Sequence, residues 1–216
     1  FIIELYKNEN KKVVLCAPTG RAAKRMSEAT GEEATTIHRL LCLGKNEETL
    51  GMERVDYQIE PIDCDVIIID EASMVDVFLM NYILKGLFIG TKIVLVGDID
   101  QLPSVGPGNV LKDIIGSGVI ETIELNEIFR QAAQSQIITN AHKVNNGESF
   151  LDVKKEELEG KLQDFFYINE PNTSKMLEDV ISLCSGRLKK FGKYDFFKDI
   201  QVLTPTKKGK LGTKEL

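Results

Sequence analysis

Uninterrupted apolar runs that stop on polar or acidic steps alternate along the chain with stretches whose apolar residues recur at helical spacing. Val13-Val14-Leu15-Cys16-Ala17, Val66-Ile67-Ile68-Ile69 and Lys92-Ile93-Val94-Leu95-Val96 show no in-and-out alternation. Such runs predict strands buried on both faces, as in a parallel sheet sandwiched between helices. The spacing predicts helices over 1–8, from the turn at 18–25 onward, over 35–41 as a short capped helix, and over 75–87, 110–115, 137–145 and 174–191. Further strands are predicted at 122–125, 164–168 and 201–205, and 151–162 reads as charged loop or short helix. Residues 53–59 alternate like an exposed strand, which suggests a small hairpin inserted at about 44–60.

This order of elements predicts an α/β fold with a mainly parallel sheet. A first domain is expected over 1–120 and the beginning of a second over 121–216. The chain opens on Phe1-Ile2-Ile3-Glu4-Leu5 without an initiator Met. That opening reads as the tail of an amphipathic helix, and the chain as an internal piece of a longer protein.

Composition narrows the class only a little. With 43% hydrophobic and 28% charged residues over 216 positions, the chain has the makeup of an ordinary globular protein. A net charge of −6 does not advertise a nucleic-acid partner. A motor that slides along its strand, however, can hold it in a narrow cleft with few cationic contacts. Cys16, Cys42, Cys64 and Cys184 are widely spaced, with only His38 and His142 as imidazoles. That spacing argues against zinc and fits a reducing cytoplasm. No apolar stretch approaches the roughly 18–20 residues that span a bilayer, so no membrane partner is expected.

The candidate chemistry gathers at strand ends. Val66-Ile67-Ile68-Ile69 stops on Asp70-Glu71, and in open α/β sheets the ligand crevice lies outside the carboxyl ends of the strands. Neighbouring carboxylates there can divide the work of nucleoside triphosphate hydrolysis, one holding hydrated Mg²⁺ and the other orienting and deprotonating a water. The competing reading is an acidic turn in which Ser73 or Asp76 caps the following helix. Backbone amides in the turn at 18–25, beside Arg21, Lys24 and Arg25, offer a phosphate site. Gln101 lies in the Gly/Pro-rich loop after Asp98 and can hydrogen-bond a phosphate or water without adding charge. Arg130 is placed as an arginine finger, which would neutralise charge on a transferring phosphoryl group. A surface arginine and an ordinary turn are the plain alternatives for these two.

Taken together, Ala17-Pro-Thr-Gly-Arg-Ala-Ala-Lys-Arg25, Thr36-Ile-His38, Asp70-Glu-Ala-Ser73, Gly97-Asp-Ile-Asp-Gln-Leu-Pro-Ser-Val-Gly-Pro-Gly108, Phe129-Arg-Gln131 and Val202-Leu-Thr-Pro205 resemble superfamily 1 DNA helicases of the RecD family. That family includes the alpha subunit of exodeoxyribonuclease V and its stand-alone relatives. The resemblance implies a RecA-like P-loop NTPase fold in three layers, with ATP and Mg²⁺ as cofactors and single-stranded DNA as partner. It also allows nuclease and helicase subunits of an exodeoxyribonuclease V complex as partners. By position it implies that Asp70 holds Mg²⁺ through water, Glu71 is the base, Gln101 reads the γ-phosphate, and Arg130 reaches that phosphate from the second domain. Pro18, Thr19, Gly20, Arg21, Thr36 and His38 match segments that contact single-stranded DNA, as do Thr204 and Lys207 in the second domain.

The 44–60 hairpin matches the place where relatives insert a strand-separating pin. The family's Gly-rich phosphate loop with its Lys-Thr pair is expected before Phe1, and its later motifs after Leu216. The implied function is ATP-driven movement along single-stranded DNA in recombination and repair, with the isolated fragment inactive. A non-catalytic interaction module, or a P-loop ATPase that does not act on DNA, are the rivals.

Overall fold

The computed structural model describes residues 1–43, 59–125, 134–151, 162–192 and 194–216. The expected hairpin falls almost wholly outside them, and Arg130 lies outside them altogether. The chain separates into two compact units, Phe1–Asn126 and Glu127–Leu216.

The first unit is built on four parallel strands, β1 (Val13–Ala17), β2 (Ala34–Thr36), β3 (Val66–Ile69) and β4 (Lys92–Leu95), in the order β2-β1-β3-β4. Helix α1 (Ile2–Asn8) precedes β1, α2 (Gly20–Thr30), α3 (Ile37–Leu40) and α4 (Val77–Gly86) run between the strands, and α5 (Val110–Ser117) follows β4.

Side-chain alternation along the strands divides the core into two. Leu15, Val66 and Ile68 pack with Met26 of α2 and with Ile3 and Tyr6 of α1. Cys16, Ile67 and Ile69 pack with Ile37, Leu41, Val75, Leu79 and Ile83. Helices thus cover both faces, and the fold is the expected three-layer α/β arrangement of P-loop NTPases. All four residues of β3 are buried because β3 has a neighbour on each side and a helix layer on each face.

Three expectations need correction. β4 is not a fully buried strand: Lys92 and Ile93 are exposed, because among the described residues no strand pairs with its outer edge. Residues 34–36, with 35 and 36 expected in a short helix, form edge strand β2 in register with β1, and the helix starts only at Ile37. Ser27 helps to fix this edge by accepting the Ala34 amide at 2.9 Å. Residues 122–125 join no ladder, and Ile123 and Leu125 stand exposed. A strand forms only where a partner satisfies its backbone groups.

The second unit runs from Glu127 to Leu216. It contains α6 (Gln136–Asn145) and α7 (Thr173–Ser182), the latter continued by a π-helical turn Leu183–Arg187 and α8 (Leu188–Gly192). The long helix expected over 174–191 is thus present, with a local change of winding. The strands expected at 164–168 and 201–205 form no ladder among the described residues, and the one pairing there is the bridge between Ser135 and Leu162.

Candidate functional site

Parallel strands bring their carboxyl ends to one edge of the sheet, and the register fixes what meets there. Ala17 pairs with Thr36, Cys16 with Ile69 and Ile69 with Leu95. The tips therefore line up as Thr36 to His38, Pro18 to Arg21, Asp70-Glu71, and the segment leading to Asp98 and Gln101. Backbone bonds extend the ladder into the tips: the Asp70 amide donates to the Cys16 carbonyl at 3.0 Å and the Ala72 amide to the Val96 carbonyl at 2.9 Å.

The two threonine tips share one device. Thr19 accepts the Ala22 amide as cap of α2, and Thr36 accepts the Arg39 amide as cap of α3. Each hydroxyl satisfies one amide of the first helical turn. Gly20, Arg21 and His38 are exposed beside them, and Pro18, Thr19 and Thr36 are half-buried.

The acid pair is partly buried at the centre of this rim. Asp70 turns one carboxylate oxygen back to accept the Glu71 amide at 2.9 Å, which leaves its other oxygen without that duty. Glu71 adopts φ 52° and ψ 41°, in the left-handed region that favours glycine. Holding a non-glycine residue there costs about 1–3 kcal/mol, and such strain collects at functional sites. Nothing in the residue pattern forecasts it. After Glu71 comes a single 3₁₀ turn, Ala72–Met74, and then Asp76, which caps α4 by accepting the Leu79 amide at 2.7 Å. The capping reading therefore holds for Asp76, while Asp70 and Glu71 lie before the cap.

The loop after β4 is pinned to this turn at both of its ends. A Cβ on Gly97 would stand 3.1 Å from the backbone nitrogens of both Ala72 and Ser73, so a larger residue would push the loop away from the turn by a few tenths of an ångström. At the far end, the Val77 amide donates to the Pro107 carbonyl at 3.1 Å, and a Cβ on Gly106 would meet the Asp76 carboxylate at 1.8 Å. Ser104 closes the loop on itself through the Gly106 and Gly108 carbonyls. Asp98 accepts the Asp100 amide, and Gln101 stands exposed between the two pinned ends.

Ser73 was passed over as a site residue, although it sits inside the clamp. It is 4% exposed, and its hydroxyl has no hydrogen-bond partner among the described residues. Leaving such a group unpaired costs about 1–3 kcal/mol. In the second unit, Thr204 is half-buried and donates to the Leu211 carbonyl, and Lys207 is exposed.

Among the described residues no three His, Cys, Asp or Glu side chains gather into a protein-only metal cage. Mg²⁺ is commonly bound through only one or two carboxylates, completed by water and substrate phosphates. Asp70, whose second oxygen has no hydrogen-bond partner among the described residues, is a carboxylate that could serve in this way.

Comparison with known proteins now decides the family. An AAA domain (AAA_30) matches residues 1–165, about three quarters of the chain. The chain belongs to the AAA domain family. This AAA domain is 39% identical over 148 residues to the ATP-dependent RecD2 DNA helicase of Deinococcus radiodurans, an alignment that covers 68% of the chain and 20% of that protein. It is 35% identical over 159 residues to the RecBCD enzyme subunit RecD of Mycolicibacterium smegmatis, covering 66% of the chain and 28% of the subunit. Enterobacteria phage T4 has a further relative, the ATP-dependent DNA helicase dda, 32% identical over 154 residues and covering 68% and 34%.

The RecD-like resemblance expected from the motifs therefore holds, and membership of the AAA domain family implies nucleotide binding. The chain spans between a fifth and a third of the length of these relatives. Among the described residues, no helix is long and apolar enough to cross a membrane.

Proposed function

We propose that the whole protein is an ATP-dependent DNA helicase or translocase, and that this chain carries its hydrolysis rim and part of its track for single-stranded DNA. On this reading the unit ending at Asn126 is the first RecA-like core domain, and the unit beginning at Glu127 belongs to the second. Asp70 holds the hydrated Mg²⁺ of ATP and Glu71 takes the proton of the attacking water. Gln101 senses the terminal phosphate, and Arg130 brings positive charge to it from the second domain.

Pro18, Thr19, Gly20, Arg21, Thr36 and His38 line the DNA path on the first domain, and Thr204 and Lys207 on the second. Hydrolysis would open and close the cleft between the domains and so advance the strand. Work in recombination and repair in the cytoplasm fits the RecD2 and RecD relatives, as does assembly with nuclease and helicase subunits of an exodeoxyribonuclease V complex.

The observation that carries the reading is the shared rim: the acid pair lies between the β1 and β2 tips on one side and the loop bearing Gln101 on the other. A nucleotide there would sit one strand away from the proposed DNA contacts. The test is Glu71→Gln in the whole protein. Loss of a positioned base costs about 10²–10⁴-fold in turnover, so DNA-stimulated ATPase is expected to fall by that factor while binding of a fluorescent oligo-dT persists. Undiminished ATPase in Glu71→Gln would remove the acid pair from the chemistry and leave the rim without its role.

A further inference from the structure

The clamp around Ser73 has a feature that the roles above do not use. The residues from Ala72 to Val77 touch both ends of the loop that bears Gln101, through the Ala72 amide on Val96, the close approach of Gly97 and the Val77 amide on Pro107. A Cβ on Gly106 would run into the Asp76 side chain and one on Gly108 into that of Val77, so the loop lies close against both. A shift of the turn that follows the acid pair must therefore move the loop, because packed backbone transmits displacement rather than absorbing it. Ser73 is enclosed by this clamp, with a hydroxyl able to donate one bond and accept two but without a partner among the described residues.

A buried hydroxyl left unpaired in one arrangement is explained if it is paired in another. Resting on the helicase reading, we propose that Ser73 is a positioning residue whose hydroxyl bonds the backbone of residues 97–101 when the acid pair engages metal and nucleotide. The bond would fix where Gln101 stands relative to Asp70 and Glu71. Ser73 would then belong to the coupling between hydrolysis site and loop, without touching substrate. Because the hydroxyl has no partner among the described residues, its removal should leave folding intact and be felt only in the engaged arrangement.

The test is Ser73→Ala in the whole protein, read in two ways. Thermal unfolding without nucleotide should show a midpoint that is unchanged or raised by about 2–4 °C, since an unpaired polar group has been removed. DNA-stimulated ATPase should lose about 10-fold or more in kcat, with KM for ATP within about twofold, the pattern of lost positioning rather than lost binding. A midpoint lowered by several degrees would mean that the hydroxyl holds the fold together, and the proposal would be wrong. An unchanged kcat beside an active wild type would overturn it as well while leaving the helicase reading intact. A wild type without DNA-stimulated ATPase would overturn both.

Discussion

Cys16 lies in β1 with no exposed surface, on the face shared with Ile67 and Ile83. Burial pushes its thiol up to about 12, and the neighbouring Cys64 adds to the rise. Cys64 is also raised, chiefly by burial, with Lys12 pulling the other way and Asp63 and Asp65 adding a little. Thiolate is the reactive form, so both sulfurs are inert near neutral pH. Cys42 and Cys184 are only half-buried. Iodoacetamide at neutral pH is therefore expected to label Cys42 and Cys184 on the native chain, and Cys16 only after unfolding. Peptide mapping that found Cys16 modified as fast as Cys184 would contradict the packing of β1. The sequence exposes the wide spacing of these thiols but not their reactivity, which depends on what the fold lays over them. Glu71 follows the same logic: its type and place after the strand are readable, whereas its left-handed backbone is imposed by the ladder bonds on either side of it.

Helix α6 shows how an element can hang on one distant carboxylate. Asp164 accepts the Ser135 hydroxyl at 2.5 Å and the amides of Gln136 and Ile137 at 2.8 and 3.3 Å, so it caps a helix 28 residues away from it in sequence. These bonds, the Ser135 hydroxyl first, hold its carboxyl below its ordinary value of 3.8. A carboxylate depressed in the folded state contributes its full stabilisation above the unfolded value and loses it as pH falls through the folded one. Amide exchange in the first turn of α6 is therefore expected to lose protection once pH drops below the ordinary carboxylate range, ahead of β1 and β3. At neutral pH, Asp164→Asn should weaken the same turn. Equal acid sensitivity in wild type and Asp164→Asn would show that the cap contributes nothing. The helix itself was legible from its spacing and its Asn146-Gly147 end. Ser135 is a local cap that accepts the Ile138 amide at 3.3 Å, whereas the reinforcing carboxylate of Asp164 was not legible, because it lies far along the chain.

For the whole molecule, the decisive arrangement is the rim at which four strand ends meet. The sequence contains no Gly-rich loop followed by Lys and Ser or Thr, the device that cradles nucleotide phosphates. The 216-residue chain alone is thus expected to release phosphate from Mg-ATP at background rate, with or without single-stranded DNA, in a coupled phosphate assay. Clear turnover by the pure chain would place the phosphate site elsewhere.

The pattern of residues by itself settled what local physics controls. Unbroken apolar runs specified the parallel strands β1, β3 and β4, helical spacing and caps specified helices, and the order of motifs specified the RecD-like family. Only the tertiary structure decided which stretches became strands. Residues 34–36 did so because β1 offered an edge, while 122–125, 164–168 and 201–205 found no ladder partner among the described residues. It alone brought Gly97 against Ala72 and Ser73 and left the Ser73 hydroxyl buried. Backbone pairing and close approach are relations between segments far apart in the chain, and a residue's own propensities carry no record of its partner.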